Sequence, residues 1–279
     1  MPMRETAYAK INLALHVRKR REDGYHELES LFAFVDAGDE LSVEIAKEDK
    51  LAIGGEFGEG LSSGADNLVL QALYNMRSMV WPGQEQIPPL DVALEKRLPV
   101  AAGIGGGSAD AGAMIRLLDR HFVHNGDTKE LVLATRHLGA DVGACIVSET
   151  RIGKGLGWEL EMPVHDDLQG APVLLVNPRI PLSTGPVFKA WDGIDRGALP
   201  DGSVREIALS GRNDLEAPAI HLCPEIGSVL AILKASNPLL ARMSGSGATC
   251  FALYETGEAR DAAQLSIPAN WWTMKGQLR

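Results

Sequence analysis

The chain has 279 residues, 45% of them hydrophobic, and a formal charge of −10. That supplies the core of one large domain or two ordinary ones, while the acidic balance excludes broad nucleic-acid or anionic-membrane binding. Cys145, Cys223 and Cys250 are odd in number, far apart and in no C-x-x-C pair, which argues against a disulfide framework or cysteine zinc site and points to reduced thiols of the cytoplasm.

The first element is a half-buried strand over residues 7–17, with Ala7, Ala9, Ile11, Leu13, Leu15 and Val17 on one face and Tyr8, Lys10, Asn12 and His16 on the other. Tyr25 and His26 follow in a polar loop. Alternation predicts further strands at 40–46 and 90–96. Helical spacing joins Val69, Leu73, Met76 and Val80, and again Met114, Leu117, Leu118 and Phe122. Residues 54–60, rich in glycine but carrying two glutamates, read as a mobile hairpin loop that would repel phosphate. A short helix is expected over 128–138, capped by Thr128 and stopped by Gly139. A Gly-rich turn at 152–157 and the polar run 165–170 mark a boundary between lobes. Beyond it come a strand at 173–176, a helix from near Thr184, helices at 214–220 and 225–233, strands at 239–243 and 250–254, and a last strand near Trp271 and Trp272. No segment has the roughly 18 apolar residues of a membrane span, and residues 1–6 lack a signal peptide's apolar region. The expectation is a cytoplasmic protein with small-molecule partners and no nucleic acid, membrane or obligate protein partner.

The most informative stretch is Pro99 to Ala109, where Gly103, Gly105, Gly106 and Gly107 precede Ser108 between a predicted strand and a helix starting near Ser108. Glycines let backbone N–H groups converge on a ligand, and a helix N-terminus adds positive potential, so the run suits a phosphate. A tight turn alone would not need so many glycines. Neither G-x-G-x-x-G nor a P-loop fits. The loop is therefore read as a phosphate-binding site.

The loop resembles that of the GHMP kinases, in the form Pro-x-x-x-Gly-Leu-Gly-Ser/Gly-Ser. Four further motifs match one branch in order: Ala9-Lys10-Ile11-Asn12-Leu13 with Asp23-Gly24-Tyr25-His26-Glu27-Leu28, Leu138-Gly139-Ala140-Asp141-Val142, Asn213-Asp214-Leu215-Glu216, and residues 243–251. The resemblance spans residues 7 to about 254. It implies an α+β, two-lobed fold with mixed sheets and helices and the active site in the cleft between lobes. Residues 1–160 would form the nucleotide-binding lobe and 161–279 the substrate-binding lobe.

The resemblance also implies ATP and Mg²⁺ as cofactors, and an alcohol substrate carrying a cytidine diphosphate, phosphorylated in non-mevalonate isoprenoid precursor synthesis. Asp141 would be the catalytic base, oriented by Lys10. Pro99, Gly103, Ile104, Gly105, Gly106, Gly107, Ser108 and Ala109 would hold the phosphates, with Asn67, Leu68 and Lys96 lining the nucleotide pocket. Tyr25 and Phe188 would sandwich cytosine, His26 would hydrogen-bond its edge, and Asn12, Ser183 and Thr184 would contact the rest of the substrate. The metal ligands stay open, and Asp110 is left outside the catalytic set. Ordinary roles compete at each position: a solvent-facing Lys10, a helix-end Asp141, a surface Tyr25-His26 pair, a helix-start Asn67, a strand-end Lys96, an N-capping Ser183 or Thr184. The chain departs from the branch at Gly143, usually Pro, and at Trp158. The alternatives are a GHMP kinase of another small alcohol and a non-catalytic nucleotide-binding regulator.

Overall fold

Two long strands, β1 (Met3–Arg20) and β2 (His26–Ile45), pair with each other and are joined by a turn in which Gly24 takes φ +87°. The computed structural model describes residues 2–79, 86–124, 127–157 and 159–279; Val80 and Trp158 lie outside them. Burial on both faces makes β1 more than the half-exposed strand expected: Lys10 and Asn12 are each 3% exposed and His16 1%. His26 is likewise no loop residue. It opens β2 and is buried.

The chain forms two compact units, residues 1–9, 38–100 and 105–148, and residues 10–37, 101–104 and 149–279. Neither is one continuous stretch, in contrast to the single break expected near residue 160. In the first, β3 (Lys50–Gly54), α1 (Leu68–Ser78) and β4 (Leu90–Glu95) make a parallel βαβ crossover, with Lys50 opposite Asp91 and Gly54 opposite Glu95. The end of β2 runs antiparallel along β4, from Glu40 opposite Glu95 to Ile45 opposite Leu90. The glycines at 54–60 thus open a crossover and do not close a hairpin. Gly55 has φ +85°, and a Cβ there would lie 2.4 Å from the Lys96 carbonyl oxygen.

Next come α2 (Gly106–Leu118), a π-turn (Asp119–Val123), α3 (Thr128–Thr135), a 3₁₀ turn (Arg136–Leu138) and α4 (Val142–Val147). The cap of α3 is Asp127, one residue before the expected Thr128; its carboxylate accepts from the Lys129 and Glu130 amides, as a carboxylate at a helix start does. Helices α2 and α4 meet at Gly112, where a Cβ would sit 2.9 Å from that of Cys145. Gly143 has a similar reason. A Cβ at this position would stand 2.9 Å from the Val132 Cγ1 on α3, so the departure from proline suits the packing of this chain.

The second unit continues β2 into β5 (Arg151–Gly155) and β6 (Glu159–Glu161), so most of the expected Gly-rich turn is strand. Its other sheet holds β7 (Pro172–Asn177), β8 (Leu240–Met243), β9 (Cys250–Leu253) and β10 (Trp272–Gln277), in the antiparallel order β10-β7-β9-β8. Around it pack α5 (Thr184–Lys189), α6 (Val204–Ser210), α7 (Glu216–Leu222), α8 (Glu225–Ala235) and α9 (Gly257–Gln264). Leu15, Val17, Leu174, Val176, Trp191, Leu230 and Tyr254 belong to their common core. Among the described residues no helix is long and apolar enough to cross a membrane.

Candidate active site

The glycine loop divides its work between two kinds of glycine. Gly103 (φ +74°) and Gly105 (φ +66°) take the left-handed region, which a side chain disfavours. Gly106 and Gly107 already form the first turn of α2, earlier than the expected start near Ser108, and Gly105 at the cap brings no side chain to the first helical amides. Those amides are available to an anion. The Ser108 hydroxyl has no hydrogen-bond partner among the described residues. Pro99, Ile104 and Ala109 are buried and anchor the ends of the loop.

Residues 244–249 hold the first part of the loop. The Ser244 hydroxyl donates to the Gly103 carbonyl at 2.7 Å and accepts from the Asn12 amide at 3.1 Å, while the Thr249 amide donates to the Ala102 carbonyl. Asn213 in turn secures residues 244–249 by donating from Nδ2 to the carbonyls of Met243 and Gly245, both at 2.8 Å. Residues 243–251 and the Asn-Asp-Leu-Glu motif therefore support the first part of the phosphate loop. A Cβ on Gly103 would fall 2.3 Å from the Ser244 carbonyl oxygen; one on Gly106 would meet Lys96 Nζ at an ordinary 3.5 Å. Gly103→Ala should therefore destabilise the protein by about 1–3 kcal/mol, and Gly106→Ala should not. Thermal unfolding of the two variants checks this; a Gly103→Ala protein as stable as the wild type would contradict the packing.

Lys96 is 2% exposed and bound by two carboxylates, Asp110 Oδ2 at 2.7 Å and Asp39 Oδ2. Asp39 also accepts the amides of Arg97 and Leu98, at 2.6 and 2.8 Å. The ammonium thus ties β4 to α2 next to Gly106 from within an ion-pair cluster. Asp110 Oδ1 is buried without a hydrogen bond. Burial, opposed by Lys96 and reinforced by Asp39, pushes the Asp110 carboxyl up to about 7. Asn67 caps α1: its Oδ1 accepts the Val69 amide at 2.9 Å and its Nδ2 donates to the Ser62 carbonyl at 2.7 Å. Leu68 lies 3.6 Å from where a Gly107 Cβ would stand.

Asp141 occupies the residue before α4 but makes no side-chain cap to it. Its backbone carbonyl instead accepts the Cys145 amide at 3.0 Å. The residue is half-buried.

Lys10 is held by a directional relay inside the second unit. The Ser30 hydroxyl donates to the Ala14 carbonyl at 2.7 Å, so its oxygen accepts from Asn12 Nδ2 at 2.7 Å, and Asn12 Oδ1 then faces Lys10 Nζ at 3.3 Å. Each hydrogen bond fixes the sense of the next. The ammonium also lies 4.5 Å from the Phe32 ring centroid, a favourable cation–π distance. A solvent-facing lysine is ruled out by its burial.

A second cluster brings His26, Phe188 and Trp191 together. The His26 ring stands 4.9 Å from Phe188 and 5.7 Å, edge-on, from Trp191. Burial first and the Arg20 charge second lower the His26 pKa, which favours the neutral ring. Tyr25 is 65% exposed beside them. Thr184 Oγ1 lies 3.0 Å from Ser246 Oγ, and Ser183 precedes α5 without capping it through its side chain. Asn213 and Ser244 lie in motifs matched from the sequence, whereas Ser30, Phe32 and Trp191 escaped it; of these, Trp191, three residues beyond Phe188 near one helix end, carried a local signal.

Comparison with known proteins gives the same lineage along the whole chain. The descriptions "GHMP kinases N terminal domain" and "GHMP kinases C terminal" match residues 67–149 and 201–271. The chain is 58% identical over 280 residues to a 4-diphosphocytidyl-2-C-methyl-D-erythritol kinase of Novosphingobium aromaticivorans, covering 100% of this chain and 94% of that one. It is 55% identical to the protein of the same name from Sphingopyxis alaskensis, with 99% of each covered. A crystal structure of 4-(cytidine 5'-diphospho)-2C-methyl-D-erythritol kinase superposes with a TM-score of 0.79 at 32% identity, covering 99% of both chains. The chain is thus an ATP-dependent kinase with an alcohol acceptor, and it belongs to the GHMP kinase family, in its 4-diphosphocytidyl-2-C-methyl-D-erythritol kinase branch.

Proposed function

We propose that this chain transfers the γ-phosphoryl group of ATP to the 2-hydroxyl of 4-diphosphocytidyl-2-C-methyl-D-erythritol, in the cytoplasm, as a step of non-mevalonate isoprenoid precursor synthesis. The observation that carries this reading is the aromatic cluster of His26, Phe188 and Trp191 beside an exposed Tyr25. A planar base can stack on such rings, whereas a small aliphatic alcohol has no use for them.

The glycine loop and the first turn of α2 take the ATP phosphates. Asp141 accepts the hydroxyl proton as the bond to phosphorus forms, and Lys10 stabilises the negative charge that develops. Mg²⁺ commonly arrives on substrate phosphates and takes few protein ligands. The Ser108 hydroxyl, without a protein partner, fits such an ion. When bound, Mg²⁺ neutralises charge on the β- and γ-phosphates. Nucleotide handling falls mainly to residues 1–160. Ser183, Thr184 and Phe188 of residues 161–279 serve the substrate together with Asn12, Tyr25 and His26.

Tyr25→Ala and Phe188→Ala should each weaken a cytidine diphosphate ligand by roughly 5- to 150-fold, the loss of about 1–3 kcal/mol of stacking, with ATP affinity little changed. Calorimetric titration of both ligands separates the effects. Unchanged cytidine affinity in both variants would remove the base from this cluster and leave a GHMP kinase of another alcohol.

A further inference from the structure

Arg20, which belongs to none of the motifs above, donates from Nε to Nε2 of His26 at 3.2 Å. Its Nη2 reaches the carbonyls of Lys189 and Trp191, both at 3.4 Å. One guanidinium therefore joins the His26 ring to the chain that carries Phe188 and Trp191. A guanidinium has donors only, so Nε2 must accept. A neutral imidazole bears a single N–H, which is then on Nδ1.

We infer that Arg20 is a positioning residue that fixes His26 as the Nδ1–H tautomer and so makes the ring a hydrogen-bond donor towards the substrate's base. Nδ1 has no hydrogen-bond partner among the described residues. Arg20 is the one charged side chain hydrogen-bonded to the ring there; Phe188 and Trp191, packed against it, are uncharged. The neutral state that the tautomer requires agrees with the lowered His26 pKa.

The chemical consequence is a choice of base. Cytosine presents an unprotonated ring nitrogen, N3, which accepts from an N–H; uracil presents N3–H, which would set donor against donor. With the other tautomer this preference would reverse. The discrimination rests on the cytidine reading proposed above, but the tautomer does not.

The experiment is nitrogen-15 NMR of the ligand-free protein with labelled histidine, in the wild type, Arg20→Met and Arg20→Lys, at a pH where His26 is neutral. The wild type should show the shift pair of an Nδ1-protonated ring. Arg20→Met should lose that preference while its melting temperature and ATP affinity hold, and Arg20→Lys, still a donor, should retain it. Cytidine diphosphate should bind Arg20→Met about 2- to 12-fold more weakly, the scale of one neutral hydrogen bond. An Nε2-protonated His26 in the wild type, or an unchanged tautomer in Arg20→Met, overturns the inference whatever the substrate. A tautomer that follows Arg20 while cytidine and uridine diphosphates bind equally supports the positioning role and refutes the base reading instead.

Discussion

Replacing Asp141 by Asn should lower turnover by roughly 10²- to 10⁴-fold, the range for removing a general base, with little loss of affinity for either substrate. The amide keeps the shape of the carboxylate and gives up its ability to take a proton. Because the amide is isosteric with the carboxylate and the helix start does not depend on this side chain as a cap, the melting temperature should stay close to that of the wild type. Steady-state kinetics with both substrates saturating isolates the effect in kcat. Turnover within a few-fold of the wild type would remove Asp141 from the proton transfer.

Lys10→Met should cost about 10²- to 10³-fold in kcat, the loss expected on removing one preorganised group aimed at developing charge. Methionine keeps an apolar chain over the Phe32 ring, so the variant tests the ammonium with packing largely preserved. Removing the charge leaves Asn12 Oδ1 without the donor it now has at 3.3 Å, a smaller penalty confined to stability. Lys10→Arg should not restore activity, because a planar fork cannot take the place of a compact ammonium in a buried setting. A drop in thermal stability with unchanged kcat would make Lys10 a structural residue.

The fold class and the kind of reaction were legible in the sequence, whereas the burial and pairing of particular elements were not. Lys10 and Asn12 could be paired by their two-residue spacing, yet the same alternation left them half exposed. In the structure β1 is covered on both faces, a property of its neighbours that no pattern within residues 7–17 encodes. The first part of β2 was missed because Leu31 to Val35 is a continuous apolar run and not an alternating one, and short apolar runs do not distinguish strand from helix. The run at 54–60 was misread for a different reason. Its glycines mark a turn, but whether a turn closes a hairpin or opens a parallel crossover is decided by β4, some 40 residues away in sequence.

The phosphate loop shows the limit at closer range. Gly103, Gly105, Gly106 and Gly107 all pointed to an anion cradle, but only Gly103 and Gly105 take a positive φ. The need for Gly103 comes from the Ser244 carbonyl oxygen, 141 residues further on. Lys96 and Asn67, grouped with the nucleotide pocket by resemblance, are engaged by Asp39 and Asp110 and by the start of α1. Partners so distant in sequence could not be read from local spacing.

The most direct measurement is the transfer itself: purified chain, ATP and Mg²⁺ incubated with 4-diphosphocytidyl-2-C-methyl-D-erythritol, homoserine or mevalonate, with ADP release followed and the product's phosphorus position assigned by NMR. The predicted result is ADP formation with the cytidylyl alcohol alone, one new phosphate on its 2-hydroxyl, and loss of that activity in Asp141→Asn. Equal or faster phosphorylation of homoserine or mevalonate, or no transfer to the cytidylyl alcohol by a folded protein that binds ATP, would contradict it.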